Sequence, residues 1–472
     1  MPRLRSINPA TGEQVLEVEE HSDRDIEQRL ARAASASIAW RATPPEARAA
    51  VLRAAADILD REKASFGRLM TQEMGKTLTS AIAEAGKCAL GCRYYADHIA
   101  AFTAAEPVPT DDGEPGVVRY DPLGAVLAIM PWNFPFWQVI RFAAPALAAG
   151  NVALLKHASN VPRCAIALED LFQRAGAPAG VFQILLIGSS RVDGVIADPR
   201  VHAVTLTGSE GAGRTVAATA GRHLKKTVLE LGGSDPFIVC ASADLERAAE
   251  VAVTARCINN GQSCIAAKRF IAIDAVADAF TEQFVERMRA VRVGDPLDER
   301  TDVGPLAMPG IRDELHRQVQ ESIAAGARLL TGGEPLDGPG YFYQPTVLTD
   351  IPAHAPAYRE ELFGPVASLF RVPDLEAAIA LANDTRFGLA ASVWTSDPDE
   401  ADRCAGALEC GSVFVNAMVA SDPRFPFGGI KASGYGRELG LWGLREFVNT
   451  KTVRGHKRED GKTGRREDEK TE

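Results

Sequence analysis

From Gly124 onward, short apolar runs alternate with stretches whose apolar residues recur at helical spacing. The first runs are Ala125-Val126-Leu127-Ala128-Ile129, Val152-Ala153-Leu154-Leu155, Phe182-Gln183-Ile184-Leu185-Leu186 and Ala203-Val204-Thr205-Leu206; Thr227-Val228-Leu229-Glu230 and Phe237-Ile238-Val239 follow. A strand that is apolar at nearly every position needs cover on both faces. Helices between successive strands supply that cover, so the pattern predicts a parallel α/β sheet. The alternation resumes after Glu250, with Arg269-Phe270-Ile271-Ala272-Ile273 and Val413-Phe414-Val415-Asn416 as clear strands. One sheet cannot serve 472 residues, so a second α/β domain is expected from about Gly232 to Lys431.

The flanking segments have different textures. Between Asp23 and Ala101 the chain is rich in Ala, Arg and Glu, with Ile26, Leu30 and Ala33, then Val51, Ala55, Ile58 and Leu59, at helical spacing. This predicts a run of helices. Pro, Asp and Gly surround Val117-Val118-Arg119-Tyr120 between Pro107 and Pro122, which predicts an extended hairpin leaving the globular body. From Gly455 the chain is charged and almost devoid of apolar residues, so 455–472 is expected to be a disordered tail.

Charge and cysteine usage narrow the function classes. The net charge is −10 and no basic stripe is interleaved with aromatics, which argues against nucleic acid or an anionic membrane as partner. The apolar stretch around Phe142 to Leu155 is broken by Pro145, Gly150 and Asn151, and no apolar run follows the basic residues at the N-terminus. Neither a bilayer span nor a signal peptide is predicted, and a cytoplasmic location is expected. The eight cysteines form no C-x-x-C pair and no Cys/His cluster of zinc spacing. Free thiols, a reducing compartment and no metal site follow; Cys88 and Cys92 are expected to be small core residues.

Three short stretches carry chemistry. Cys264 lies in Asn259-Asn260-Gly261-Gln262-Ser263-Cys264, Glu230 in Leu229-Glu230-Leu231-Gly232-Gly233, and Asn133 in Pro131-Trp132-Asn133-Phe134-Pro135. A thiol can form a covalent adduct, a carboxylate can activate water, and an amide can donate to an oxyanion. Gly208-Ser209-Glu210-Gly211-Ala212-Gly213 follows a strand and precedes a helix start, where backbone N–H groups favour phosphate. Taken alone, such a turn reads more readily as a plain strand-to-helix connection, and Val216 stands where a dinucleotide fingerprint needs its third glycine. Glu361-Leu362-Phe363-Gly364-Pro365-Val366, taken alone, is a Gly-Pro turn with a buried aromatic.

Together and in this order, these stretches resemble the aldehyde dehydrogenase superfamily. The resemblance runs from Asn8-Pro9-Ala10-Thr11-Gly12 to Pro426-Phe427-Gly428-Gly429-Ile430-Lys431 and Thr450-Lys451. It implies an α/β fold of two parallel-sheet domains plus a small protruding β oligomerisation arm. The implied division is a cofactor-binding domain over 1–103 and 123–231, a catalytic domain over 232–431, and an arm over 104–122 and 432–454. A homodimer or homotetramer is expected. The implied catalytic residues are Cys264 as nucleophile, Glu230 as hydrolytic base and Asn133 as oxyanion donor, with no metal.

The same resemblance implies a nicotinamide cofactor held by Trp132, Asn133, Lys156, Ser159, Gly208, Ser209, Leu231, Glu361 and Phe363. Lys156 would meet the adenosine ribose, Glu361 the nicotinamide ribose, and Phe363 the nicotinamide ring. Many NAD-preferring relatives have glutamate three residues after the lysine, where this chain has Ser159. A serine can donate to a 2′-phosphate that a glutamate would repel, so NADP is expected to be accepted and preferred, with NAD the alternative. His157 beside Lys156 is expected to be a solvent-facing loop residue.

The segment after Asn133 bears on the aldehyde. Phe134, Trp137 and Arg141 share one face of a helix expected to start near Pro135. An arginine among Phe134, Phe136, Trp137, Ile140 and Phe142 is costly to bury without an anion, and a guanidinium suits a carboxylate. Pairing of Arg141 with a structural carboxylate is the alternative. The cluster Trp132–Arg141 with Lys156–Asn160 is similar to the bacterial succinate-semialdehyde dehydrogenase branch, which implies Phe134, Trp137, Gln138, Arg141, Ser263 and Ser421 as substrate residues. Succinic semialdehyde is the expected small-molecule substrate; glutarate semialdehyde or another aliphatic aldehyde is the alternative, because pockets discriminate one methylene weakly. Release of the thioester to coenzyme A, a cysteine esterase, and a non-catalytic or structural relative are the competing readings.

Overall fold

Two largely parallel sheets organise the chain. In the computed structural model, which describes residues 2–455, the first sheet has six strands. Their spatial order is Gly434–Tyr435, Lys226–Glu230, Val201–Thr207, Ala125–Met130, Val152–His157 and Phe182–Ile184. All neighbours are parallel except Gly434–Tyr435, which runs antiparallel to Lys226–Glu230. The second sheet has seven strands, ordered Arg328–Thr331, Thr346–Thr349, Val366–Val372, Arg269–Ile273, Pro236–Val239, Ala390–Trp394 and Ser412–Val415, with only the first pair antiparallel. Both faces of this sheet are covered. Ile238, Ile271 and Val393 enter one core, while Phe237, Val239, Phe270 and Trp394 enter the core on the other face.

The expected helical run consists of Asp23–Ala42, Pro45–Arg61, Lys63–Met74 and Leu78–Phe102. The expected hairpin pairs Glu106–Val108 with Gly116–Pro122, and Val448–Arg454 adds a third antiparallel strand to it. Of 432–454, only that last strand joins the protruding sheet; Gly434–Tyr435 returns to the six-stranded one. A hairpin of Arg3–Ile7 and Gln14–Glu19 opens the chain. The strand begun at Phe182 stops at Ile184, two residues short of expectation. The charged tail lies outside the described residues apart from Gly455.

The first sheet has a topological switch. The chain leaves Ala125–Met130 for Val152–His157 and Phe182–Ile184 on one side, then crosses back to Val201–Thr207 on the other. Open parallel sheets bind ligands beyond the carboxyl ends of the strands at such a point. Here those ends lead into Pro131-Trp132-Asn133 and Gly208-Ser209.

The helix carrying Arg141 spans Trp137–Ala149, two residues later than expected. Its start is held by Glu84 of the helix Leu78–Phe102. Glu84 Oε1 accepts the backbone N–H groups of Phe136 and Trp137, both at 2.9 Å, as an anion favours a helix N-terminus. The other oxygen pairs with Lys76, which is wholly buried and sits 4.1 Å from the Phe134 ring centroid. Glu84→Ala leaves that ammonium without its partner. A loss of about 3–5 kcal/mol of stability is expected, read from urea unfolding; a loss below about 1 kcal/mol would assign the pair no structural role.

Candidate active site

The loop bearing Cys264 is shaped by a run of left-handed backbone. Asn259, Asn260 and Gly261 have φ of 56°, 59° and 75°, a region that asparagine tolerates and glycine enters freely. Gly261 is also required by space, since a Cβ there would lie 2.3 Å from the carbonyl carbon of Gly364. The polar side chains of the motif are clamps. Asn259 Nδ2 donates to the carbonyls of Asn133 (2.8 Å) and Gln262 (3.0 Å), and Asn260 Nδ2 to those of Gly75 (2.8 Å) and Pro305 (2.9 Å). Gln262 Oε1 accepts from the Ala307 N–H at 2.9 Å.

Lys268 completes the support. Its buried ammonium donates to the carbonyls of Ser263 and Cys264, each at 2.8 Å, and lies 3.2 Å from Glu361 Oε1. Glu361 Oε1 also accepts the Gly233 N–H at 3.1 Å. One lysine therefore ties the Cys264 loop to the turn containing Glu361 and Phe363.

Cys264 is partly exposed, and burial among apolar neighbours pushes its thiol up to about 12, against the pull of Arg141 and Lys268. Asn133 Nδ2 donates one hydrogen to the Gln262 carbonyl at 3.1 Å, while its Oδ1 accepts from Phe134 N–H at 3.1 Å. The second amide hydrogen is thus available beside the Cys264 loop.

Glu230 ends its strand buried, with neither carboxylate oxygen hydrogen-bonded. Burial raises its pKa well above the usual carboxylate range; Arg141 opposes this and Glu438 adds to it. Gly428 stands against it with φ of 154°, and a Cβ there would come within 2.6 Å of Glu230 Oε1.

Arg141 corrects an expectation. It is buried as foreseen, but its guanidinium pairs with Glu438, lies 4.6 Å from the Phe427 ring centroid and reaches Thr207 Oγ1 at 3.4 Å. The protein supplies the anion that the burial argument reserved for a substrate. Glu438 was not foreseen; it is held by reciprocal backbone hydrogen bonds with Phe427, each 2.7 Å. Nothing in its local sequence separates it from an ordinary loop acid.

Phe134, Trp137, Gln138, Arg141, Ser263, Cys264 and Ser421 all line one cavity of about 190 Å³. This is below the ~300–1,000 Å³ typical of drug-sized sites, so it suits an aldehyde of a few carbons. The hydroxyl of Ser263 and the Oε1 of Gln138 are buried without protein partners. Glu84 and Lys87 also line the cavity and went unrecognised, because their helix reads as a plain amphipathic segment.

The expected cofactor residues flank the switch point. Lys156 is buried near the end of its strand, and burial lowers its pKa. Ser159 is exposed in the turn beyond it. Ser209 caps the helix Glu210–Arg222, Gly208 N–H donates to the Glu230 carbonyl at 3.0 Å, and Leu231 packs against Gly213. The Trp132 and Phe363 rings meet edge to face at 5.8 Å, one from each sheet's loops. His157, expected in solvent, is buried, with Nε2 2.8 Å from the Pro135 carbonyl; burial holds its pKa down at about 4.

No group of three or more His, Cys, Asp or Glu side chains suited to a metal ion occurs among the described residues, and no described helix is long and apolar enough to cross a membrane.

The profile of the aldehyde dehydrogenase family matches residues 2–453. An NADP(+) succinate-semialdehyde dehydrogenase of Mycolicibacterium paratuberculosis is 55% identical over 455 residues, covering 95% of this chain and 96% of the relative. A protein of the same description from Mycobacterium ulcerans is 54% identical, covering 95% and 99%. The crystal structure of succinic semialdehyde dehydrogenase from Streptococcus pyogenes in complex with NADP+ superposes with a TM-score of 0.94 at 39% identity, covering 95% and 99%. The chain belongs to the aldehyde dehydrogenase family.

Proposed function

We propose that this protein oxidises succinic semialdehyde to succinate, with NADP preferred over NAD, through a covalent adduct on Cys264. The observation that carries the reading is the small cavity in which the Cys264 thiol shares walls with Ser421, Gln138, Ser263, Lys87 and Arg141. A semialdehyde presents a carboxylate to these polar side chains, which a neutral aldehyde leaves unused. The names of the relatives from Mycolicibacterium and Streptococcus add support.

The residues at the switch point suit a dinucleotide. Lys156 and Ser159 would hold the 2′-phosphate end, Gly208 and Ser209 the phosphates, Leu231 the cleft wall, and Trp132, Glu361 and Phe363 the nicotinamide end. The exposed Ser159 leaves no carboxylate there to repel a phosphate. When bound, the nicotinamide supplies the acceptor for the aldehyde hydride.

The chain's own groups do the rest. Cys264 gives its thiol proton to solvent, its Sγ as thiolate bonds to the aldehyde carbon, and the carbonyl electrons move to oxygen. The free Asn133 amide hydrogen and the Cys264 backbone N–H hold that oxyanion. After oxidation the acyl group remains on Cys264 as a thioester. Glu230 takes a proton from water, the hydroxide bonds to the acyl carbon, and the C–S bond breaks to release succinate and thiolate.

The chain is proposed to divide into a cofactor-binding part, 1–103 with 123–231, and a catalytic part, 232–431. The exposed edge of Val448–Arg454 supports a homodimer or homotetramer assembled through the three-stranded sheet. The eight free thiols fit a cytoplasmic setting.

The test is a panel of succinic semialdehyde, glutarate semialdehyde and butanal, each with NADP and NAD. The highest kcat/KM is expected for succinic semialdehyde with NADP; a higher value for butanal would overturn the substrate assignment. Ser159→Glu is expected to lower kcat/KM for NADP by about 100-fold or more through charge repulsion, while NAD is retained. An unchanged NADP value would remove Ser159 from cofactor selection.

A further inference from the structure

The cationic groups in the cavity are not equivalent. Arg141 is already neutralised by Glu438 and stacked on Phe427. Lys87 also lines the cavity, from the helix Leu78–Phe102, and among the described residues no carboxylate lies within ion-pair distance of its ammonium. Its Nζ sits 4.5 Å from the Trp137 ring centroid and donates to Ser421 Oγ at 2.7 Å.

Ser421 reports where a ligand would sit. Its hydroxyl oxygen accepts from Lys87 Nζ and also from Trp137 Nε1, at 2.9 Å. A hydroxyl has two acceptor lone pairs and one hydrogen, so both lone pairs are filled and only the O–H remains to be used. No acceptor among the described residues takes it. Ser421 is buried, which makes an unused donor there costly unless a ligand accepts it. The Lys87 ammonium has two further N–H groups beyond the one given to Ser421. Burial and the nearby Arg141 press the Lys87 pKa down to about 8, which still leaves most of it charged at neutral pH.

We infer that Lys87, with the Ser421 hydroxyl, is the cationic anchor for the distal carboxylate of the substrate, and that Arg141 instead holds Glu438 beside Glu230. This rests on the semialdehyde reading above. It predicts a division of labour. Lys87 sets the preference for carboxylated over neutral aldehydes, while Arg141 acts on the groups around the reacting carbon.

Lys87→Gln isolates the charge, because the amide can still donate to Ser421. With NADP saturating, KM for succinic semialdehyde is expected to rise by about 10–100-fold with kcat within a few-fold of the parent. Butanal, neutral and of equal chain length, should be turned over with unchanged kcat/KM. Lys87→Arg should restore most of the KM for succinic semialdehyde. Equal losses on both aldehydes, or no change on either, would overturn the anchor. The unmodified enzyme separates the two readings. If it already fails to favour succinic semialdehyde over butanal, the proposed substrate and the anchor fall together. If it shows the preference and Lys87→Gln keeps it, only the anchor falls.

Discussion

Cys264→Ala is expected to lower kcat for aldehyde oxidation by at least about 10⁴-fold, since removing a covalent nucleophile elsewhere costs up to about 10⁶-fold. No neighbour can substitute. Cys257 does not line the Cys264 cavity; it lines an adjoining one with Thr254, Arg287 and Asp302, and the two share Ser80 and Ile258 as wall residues. The Ser263 hydroxyl shares the cavity with Cys264, but no base contacts it. The loop itself should survive, because its clamps run through Asn259, Asn260, Gln262 and Lys268 and none uses the sulfur. An unchanged circular dichroism spectrum and unfolding midpoint, with NADPH formation lost, is the expected pair of readings. Full turnover in the alanine variant would remove the covalent route altogether.

What could be read from the chain and what could not divides along a physical line. Cys264, Glu230 and Asn133 stand in motifs that resemble those of a known family, and the structure sets these motifs at consecutive left-handed residues before Cys264, a strand end at Glu230 and a switch-point loop at Asn133. The buried strands of the six-stranded sheet were legible from unbroken apolar runs. Val366–Val372 and Ala390–Trp394 are equally buried but went unmarked, because short apolar runs are shared with buried helix segments. The opening hairpin goes unmarked because its strands have only 5 and 6 residues and few apolar positions.

The groups that tune the site were less legible still. Lys87, Glu84, Lys268 and Glu438 reach it from segments with ordinary sequence, and Lys87 meets Ser421 across 334 residues of chain. Arg141 shows the same limit. Its burial was deducible from its aromatic surroundings, but its partner Glu438 is fixed by tertiary structure alone.

Glu230→Gln separates the two halves of the reaction. The amide keeps the shape beside Gly428 but cannot take a proton from water, so thioester hydrolysis should fall by about 10²–10⁴-fold. Acylation of Cys264 and the first hydride transfer do not need that base if solvent receives the thiol proton. Rapid mixing should therefore show a burst of one NADPH per active site followed by slow turnover. The pH dependence follows from the same group. Burial raises the Glu230 pKa well above the usual carboxylate range, and the deprotonated form is the one that activates water. Steady-state kcat of the parent enzyme should therefore climb with pH above the range in which an ordinary carboxylate titrates, and that limb should vanish in Glu230→Gln. Glu438 adds negative charge beside Glu230 while Arg141 opposes it, so Glu438→Gln should shift the limb toward lower pH. A variant with neither burst nor pH limb altered would show that water is activated elsewhere, and the carboxylate would then be only a buried acid at the end of its strand.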